Sequence, residues 1–415
     1  MIGLGLLMTA TSALGVETRQ AFVSSVYGPG NLASWPEAEL GTSGPEAADS
    51  VCRTLAANAG LARPLAYRAW LSSSLDDAWC RVQGLFGTRD SGCSGEPAPE
   101  GAGPWARTSD GARWAGTLAE LSEDRGPMVP LDRDERGAAV PGLELYWTGT
   151  DPSGRAFDLL AAELCDDWTS SAGTSGTVLG STFETRGAWT LSFGGACSDP
   201  RRLVCLETGA GGSRPPVASL GPAALAFVTT SVGTGDFSSW PEALGLDGLA
   251  AADSICRVEA VAGHLPNPLS FGAWLSTSAR NARSRLPLGL GWRRLDGVGI
   301  VIDRTDLIDG WLAAPLNETV ASRYLPEPPD GDAPIWTGTA FDGTALPGET
   351  CVDWSSAADT DSGLAGFANS AAADWTDGRP FSCDTYLPLY CFSKVEILFW
   401  GSFETGDALE WSSLP

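Results

Sequence analysis

The chain is almost without histidine and lysine: its 415 residues include one histidine, His264, and one lysine, Lys394. A serine-histidine-acid triad needs an imidazole base, and histidine-rich zinc centres need several imidazole ligands. Both chemistries therefore lack material throughout the N-terminal half. His264 stands between Gly263 and Leu265 at an expected helix end, where a structural or simply exposed side chain is the expectation. Beyond a short N-terminal segment, no stretch approaches the ~20 continuous apolar residues of a membrane span. Positive charge is also scarce. The 26 basic residues face 51 acidic ones, for a net charge of −25. Phosphate backbones and heparin-like polyanions are repelled by such a surface, which argues against nucleic acid and sulfated glycans as partners.

What is present points outside the cytosol. An apolar content of 43% permits true cores, and the length exceeds what one core usually serves, so two domains are expected. Ten cysteines are many for a reduced compartment, and their even number suits five bridges. The first residues, MIGLGLLMTATSALG, form a short apolar run ending in Ala13-Leu14-Gly15, which reads as a signal peptide over residues 1–15 and implies a secreted or cell-surface protein.

Self-similarity sets the organisation. Phe22-Val-Ser-Ser with Trp35-Pro-Glu-Ala recurs as Phe227-Val-Thr-Thr with Trp240-Pro-Glu-Ala, and Ala-Ala-Asp-Ser-Val-Cys52 recurs as Ala-Ala-Asp-Ser-Ile-Cys256. Trp70 and Trp274 follow at one common spacing, each in an Ala-Trp-Leu-Ser stretch. Further on, Cys165, Trp168, Trp189, Cys197 and Cys205 recur as Cys351, Trp354, Trp375, Cys383 and Cys391, each displaced by 186. Since Cys52 and Cys256 stand 204 apart, the first copy holds 18 extra residues in its middle. Cys80 and Cys93 fall in that region without counterparts, so they are expected to clip the inserted loop to itself. The modules are placed at residues 17–207 and 222–393. Residues 208–221, with flexible glycines and a stiff proline pair, read as a linker, and 394–415 as a C-terminal tail.

Within a module, Ser43-Gly-Pro-Glu46 reads as a capping box, and Ala48, Val51, Cys52 and Leu55 follow at helical spacing until Gly60. A second helix carrying Leu75, Ala78, Trp79 and Val82 is expected near Ser74, with a counterpart from Ser278 to Leu286. Downstream, short apolar runs broken by Gly, Pro and Asp predict strands and long loops. Arg202-Leu-Val-Cys205-Leu and Leu387-Pro-Leu-Tyr-Cys391-Phe read as final buried strands. Trp168 and Trp189 are expected to pack the core around an inner bridge, and Gly176 and Gly363 to mark turns.

A cysteine on the first helix, another after a mid-chain strand, and a closely spaced pair ending in the last strand resemble the C-type lectin-like fold. Within it the modules look most like endostatin and like an uncharacterised family of bacterial extracellular domains. The Cys52 helix, Tyr67-Arg-Ala-Trp-Leu-Ser72, Trp147-Thr-Gly-Thr-Asp-Pro-Ser-Gly-Arg155, Cys165 with Trp168, and Cys197 with Cys205 carry this resemblance. It implies an α+β class: two tandem disulfide-braced modules, each with two helices, a twisted antiparallel sheet and long loops. It further implies the pairs Cys52–Cys205, Cys165–Cys197, Cys256–Cys391 and Cys351–Cys383. Endostatin binds zinc and heparin, but this chain lacks the histidines and the basic surface for either.

The expectation for function is a non-enzymatic binding protein that presents two modules to an extracellular protein or glycan, with no cofactor. Calcium-dependent sugar binding by the second copy is the sharper alternative. Trp375-Thr-Asp377 keeps two letters of the family's tryptophan-asparagine-aspartate strand, so Asp377, Asp374, Asp359 and Asp361 are the calcium candidates. Glu327-Pro-Pro-Asp330 is a faint echo of the partner loop. A secreted hydrolase using paired carboxylates, such as Asp134-Glu135, is the rival from another class; such pairs are more often solvated faces. Asn317-Glu-Thr319 forms a glycosylation sequon.

Overall fold

The computed structural model describes residues 18–94, 102–122, 126–157, 164–211, 215–218, 220–321, 324–325 and 333–397. The expected signal segment, residues 327–330 and the tail beyond Ile397 lie outside them. The class is mixed α+β. The first half runs β1 (Arg19–Val23), α1 (Gly44–Asn58), β2 (Tyr67–Ala69), α2 (Ala78–Arg81), β3 (Trp105–Arg107), β4 (Arg113–Ala115), α3 (Leu118–Ser122), β5 (Leu145–Trp147), β6 (Gly176–Ser181), β7 (Phe193–Ala196) and β8 (Arg202–Glu207). The second half runs β9 (Ala224–Val228), α4 (Gly248–Ala262), β10 (Phe271–Ala273), β11 (Trp292–Arg293), β12 (Gly299–Val301), β13 (Pro334–Trp336), β14 (Ser362–Phe367), β15 (Arg379–Ser382) and β16 (Tyr390–Ser393).

The repeat seen in sequence is a repeat of strand register. Phe22 faces Cys205 and Phe227 faces Cys391, while Ala69 faces Cys205 and Ala273 faces Cys391. Strands order as β4-β3-β1-β8-β5-β6-β7 in the first half, with β2 also on β8. In the second half the ladder joining β5 to β8 shrinks to a single bridge, Trp336 to Leu389, which leaves a five-stranded and a three-stranded sheet. The sheets are not wholly antiparallel as expected: β1–β3, β5–β8 and β9–β11 pair in parallel. Each of these pairs is joined by a long stretch of chain, as parallel neighbours require.

Alternation along the central strands sends side chains to two cores. On β8, Leu203 and Cys205 enter a core with the α1 residues Ala48, Val51, Cys52 and Leu55, whereas Val204 and Leu206 enter one with Trp70, Trp105, Trp114 and Trp189. Trp168 packs edge-on to Trp147 at 5.9 Å beside the Cys165–Cys197 bridge. Trp189 does not join it there; it packs against Trp70 at 5.0 Å, on the opposite face of the sheet. Five disulfides join Cys52 to Cys205, Cys80 to Cys93, Cys165 to Cys197, Cys256 to Cys391, and Cys351 to Cys383.

Several local expectations give way. Ser43 stands at the N-cap of α1 but makes no side-chain cap bond; Gly44, at φ 54°, turns the chain through the left-handed region at the helix start. The second helix is one turn in the first half and a 3₁₀ turn, Ala282–Arg285, in the second. The buried Asp77 carboxylate pulls the chain away by accepting from the backbone of Arg89 and Ala156, at 2.6 and 2.7 Å, and the Cys80–Cys93 bridge closes the loop. The segment read as a linker is packed: Arg113 Nε donates to Pro215 O, and Gly299 N to Ala218 O in the other half.

Gly176 begins β6 and Gly363 is the second residue of β14, so neither marks a turn; a Cβ on Gly363 would lie 2.6 Å from Cys351 Sγ. A tighter approach is repeated at Gly180 and Gly366, where a Cβ would lie 2.1 Å from Trp189 O and 2.0 Å from Trp375 O. These are backbone atoms inside a packed core, so they cannot move aside. Gly366→Ala is expected to cost about 2 kcal/mol in urea unfolding; an unchanged midpoint would mean that the β14 strand is not held this closely.

Both halves contain a left-handed turn of four residues. Cys165, Asp166, Asp167 and Trp168 have φ of 52°, 54°, 48° and 67°, and Cys351, Val352, Asp353 and Trp354 have 45°, 53°, 56° and 68°. Each such residue costs roughly 1 kcal/mol for an L side chain, so the turn must be held from outside. The inner bridge fixes its first residue, Trp168 Nε1 donates to Ser72 O at 2.7 Å, and Asp167 accepts from Ser74 N at 2.8 Å and from Ser74 Oγ. Trp354 with Ser276 O, and Asp353 with Ser278, repeat this bracing.

Candidate functional site

The left-handed turn of the first half forms one wall of a cleft of about 420 Å³. The start of α1 contributes Ser43, Pro45 and Glu46; the loop after β2 contributes Ser73, Leu75 and Asp76; Asp167 comes from the turn and Phe86 from the disulfide-clipped insert. Its floor is Asp49 on α1, 6% exposed, which accepts from the Ala69 backbone at 3.0 Å and from Arg81 Nη2 at 2.6 Å. Burial raises the Asp49 carboxyl above its ordinary range, against the pull of Arg81.

Three guanidinium groups, Arg53, Arg68 and Arg81, surround this carboxylate in a protein poor in cations. Arg68 Nε stands 3.9 Å from Asp49, and its guanidinium lies 5.1 Å from the Phe86 ring centre. Arg81 is 3% exposed, and its Nε is buried without a hydrogen-bond partner. Removing the charge with Asp49→Asn strands Arg81 in the interior and is expected to cost about 3 kcal/mol. Urea unfolding checks this, and a loss below ~1 kcal/mol would mean that Arg81 reaches water.

The cluster has a counterpart. Asp49, Arg53 and Arg81 recur as Asp253, Arg257 and Arg285, each displaced by 204. Asp253 likewise accepts from the Ala273 backbone at 3.0 Å and pairs with Arg285. Gly272 replaces Arg68, and Lys394 fills the vacated place, its Nζ 2.6 Å from where a Gly272 Cβ would be and 3.7 Å from Asp253. The equal displacement of three charged residues was a readable signal. It escapes a search for catalytic motifs because neither aspartate nor arginine, at these spacings, matches a known one.

The calcium candidates are dispersed onto local partners. Asp377 accepts from Phe341 N at 3.1 Å, Asp374 from Ser370 Oγ, and Asp361 from Ser356 Oγ, while Asp359 sits exposed in a turn. Burial raises the Asp374 carboxyl. Among the described residues, no three histidine, cysteine, aspartate or glutamate side chains are grouped so as to hold a metal ion. His264 is exposed just past the end of α4.

The Asp134-Glu135 pair is not a solvated face. Glu135 is 1% exposed and accepts from Ser25 N and Oγ at 3.0 and 2.6 Å, because the chain after β1 crosses directly over it. Asp134 accepts from the backbone of Arg136 and Ala138, both at 2.9 Å. The sequon asparagine, Asn317, is 1% exposed, with Nδ2 3.3 Å from Thr185 Oγ1 in the other half; a glycan there is incompatible with this packing. No protein-family model matches the chain, and no curated protein matches it either.

Proposed function

We propose that this is a non-enzymatic, secreted or surface-associated binding protein whose two C-type lectin-like modules present loops to an extracellular protein or glycan. The observation that carries the reading is the cleft walled by a strained turn and floored by Asp49, with three guanidinium groups around it. Left-handed backbone of this kind persists where the surroundings over-determine it, and it concentrates at binding and catalytic sites. Asp49, Asp76 and Asp167 around the cleft accept from backbone amides, from Arg81 or from the Ser74 hydroxyl, an arrangement suited to holding a shape.

Five disulfides favour an oxidising compartment. Among the described residues no helix is long and apolar enough to cross a membrane. Two copies of a weak site on one chain would raise avidity without new contacts. The resemblance to the C-type lectin-like fold supports a binding role by analogy, since fold alone does not fix function. A panel of glycosidase, esterase and peptidase substrates tests the reading: no turnover is expected, and catalytic release of any product that scales with protein concentration would replace it with the hydrolase reading.

A further inference from the structure

The cleft of the first half differs from its counterpart in two ways that bear on what it binds. Its third cation is Arg68, on a strand facing the cleft, where the second half has Gly272 with Lys394 laid across it. It also carries Phe86, from an insert that the second copy lacks. Among the described residues the Arg53 side chain has no ion-pair or hydrogen-bond partner, and Arg81 Nε is buried with no acceptor. Asp49, with the carbonyls of Pro45 and Leu85, answers only part of the donor capacity of the three guanidinium groups, and a guanidinium presents five N–H donors in a fork that matches a carboxylate.

Beside these donors lie two bare apolar side chains, Leu75 at 74% and Phe86 at 58% exposed. Asp76 and Asp167 stay charged but are held by neutral donors, Asp76 by Gly87 N and Asp167 by Ser74, rather than by an arginine of the cleft. Glu46, at the start of α1, is an exposed lining acid with no side-chain partner among the described residues. A ligand that matches this layout has a carboxylate for Arg53 and the partly exposed Arg68, and an apolar group beside it for Phe86 and Leu75, with Arg81 adding its charge from below. A sugar acid surrounds its carboxylate with hydroxyls and leaves the apolar rim uncovered.

We infer that the first-half cleft binds the C-terminal carboxylate of a peptide whose last residue is apolar. This rests on the binding reading above and narrows it to one site and one ligand class. The volume, about 420 Å³, lies at the small end of ligand sites and suits a few terminal residues rather than a folded surface.

The test is fluorescence anisotropy with a labelled hexapeptide ending in phenylalanine, supplied as the free acid and as the amide. The free acid is expected to bind, with the amide at least about tenfold weaker, because a charge-assisted contact is lost. Arg53→Gln and Phe86→Ser, both on accessible side chains, should each weaken binding about tenfold, while Arg257→Gln in the second half leaves it unchanged; unfolding midpoints verify that all three are folded. Equal binding of acid and amide, absence of binding, or insensitivity to Arg53→Gln overturns the inference, as does displacement of the peptide by an oligouronate at lower concentration. In those cases the broader reading stands as long as the substrate panel stays silent, because only turnover removes it.

Discussion

Replacing Cys52 and Cys205 together by alanine is expected to lower the unfolding free energy by about 5 kcal/mol, the largest single loss available in the first half. The bond spans 153 residues of sequence, and closing a loop of that length removes about 5 kcal/mol of chain entropy from the unfolded state. The corresponding loss for Cys80 and Cys93, separated by 13, is about 3 kcal/mol. Both cysteines of the long bridge are fully buried, on α1 and on β8, so the bridge also fixes the helix to the central strand. Urea unfolding of the two double variants gives the comparison directly. A smaller loss from the long bridge than from the short one would show that the unfolded chain is already compact around Cys52.

The second large effect concerns pH. Glu318 is 3% exposed at the seam between the halves, one residue from Asn317, which bonds to Thr185 and Asn369. Burial first, and then the neighbouring Asp296 carboxylate, push its carboxyl up to about 8, although Arg294 opposes them. Asp296 itself is held low, with Arg294 at 2.7 Å and Tyr324 at 2.9 Å. The folded value of Glu318 lies above the unfolded one, near 4.5. Between those two pH values the native state retains a proton that the unfolded chain has released. Stability from this group is therefore complete below about pH 4.5, falls as pH rises to about 8, and is level above that.

The full change is on the order of 4 kcal/mol. Glu318→Gln should flatten the slope in this window, leaving stability at pH 5 nearly unchanged and raising it at pH 8.5. Urea midpoints at pH 5, 7 and 8.5 measure this for both proteins. An identical slope in the variant would place the carboxylate in contact with water.

The seam itself was not foreseen. Thr185 N donates to Asn369 O, Ala371 N donates to Phe183 O at 3.0 Å, and Tyr324 lies 5.4 Å from both the Arg186 and the Arg294 guanidinium. Glycine and proline composition at residues 208–221 pointed to a free linker, yet Val217 and Ala218 pack against the tryptophan-rich core of the first half. Composition reports what a segment can do when nothing binds it. It does not report a neighbour that covers it.

What the sequence determined by itself is whatever depends on near neighbours or on counting: the internal repeat, the α1 helix from its apolar spacing, the buried final strands, and a cysteine number that five bridges satisfy. The tertiary structure alone decided the left-handed turns, the parallel pairs, the burial of Glu135, Glu318 and Asn317, and the convergence of Arg53, Arg68 and Arg81 on Asp49. Local preference disfavours a left-handed Asp or Trp, and it is outweighed only because a bridge to Cys197 and a bond to Ser72 hold the turn. An acid in a sequence has an ordinary affinity for protons; which acid loses water, and which arginine is left with donors to spare, is set by the chain that packs over it.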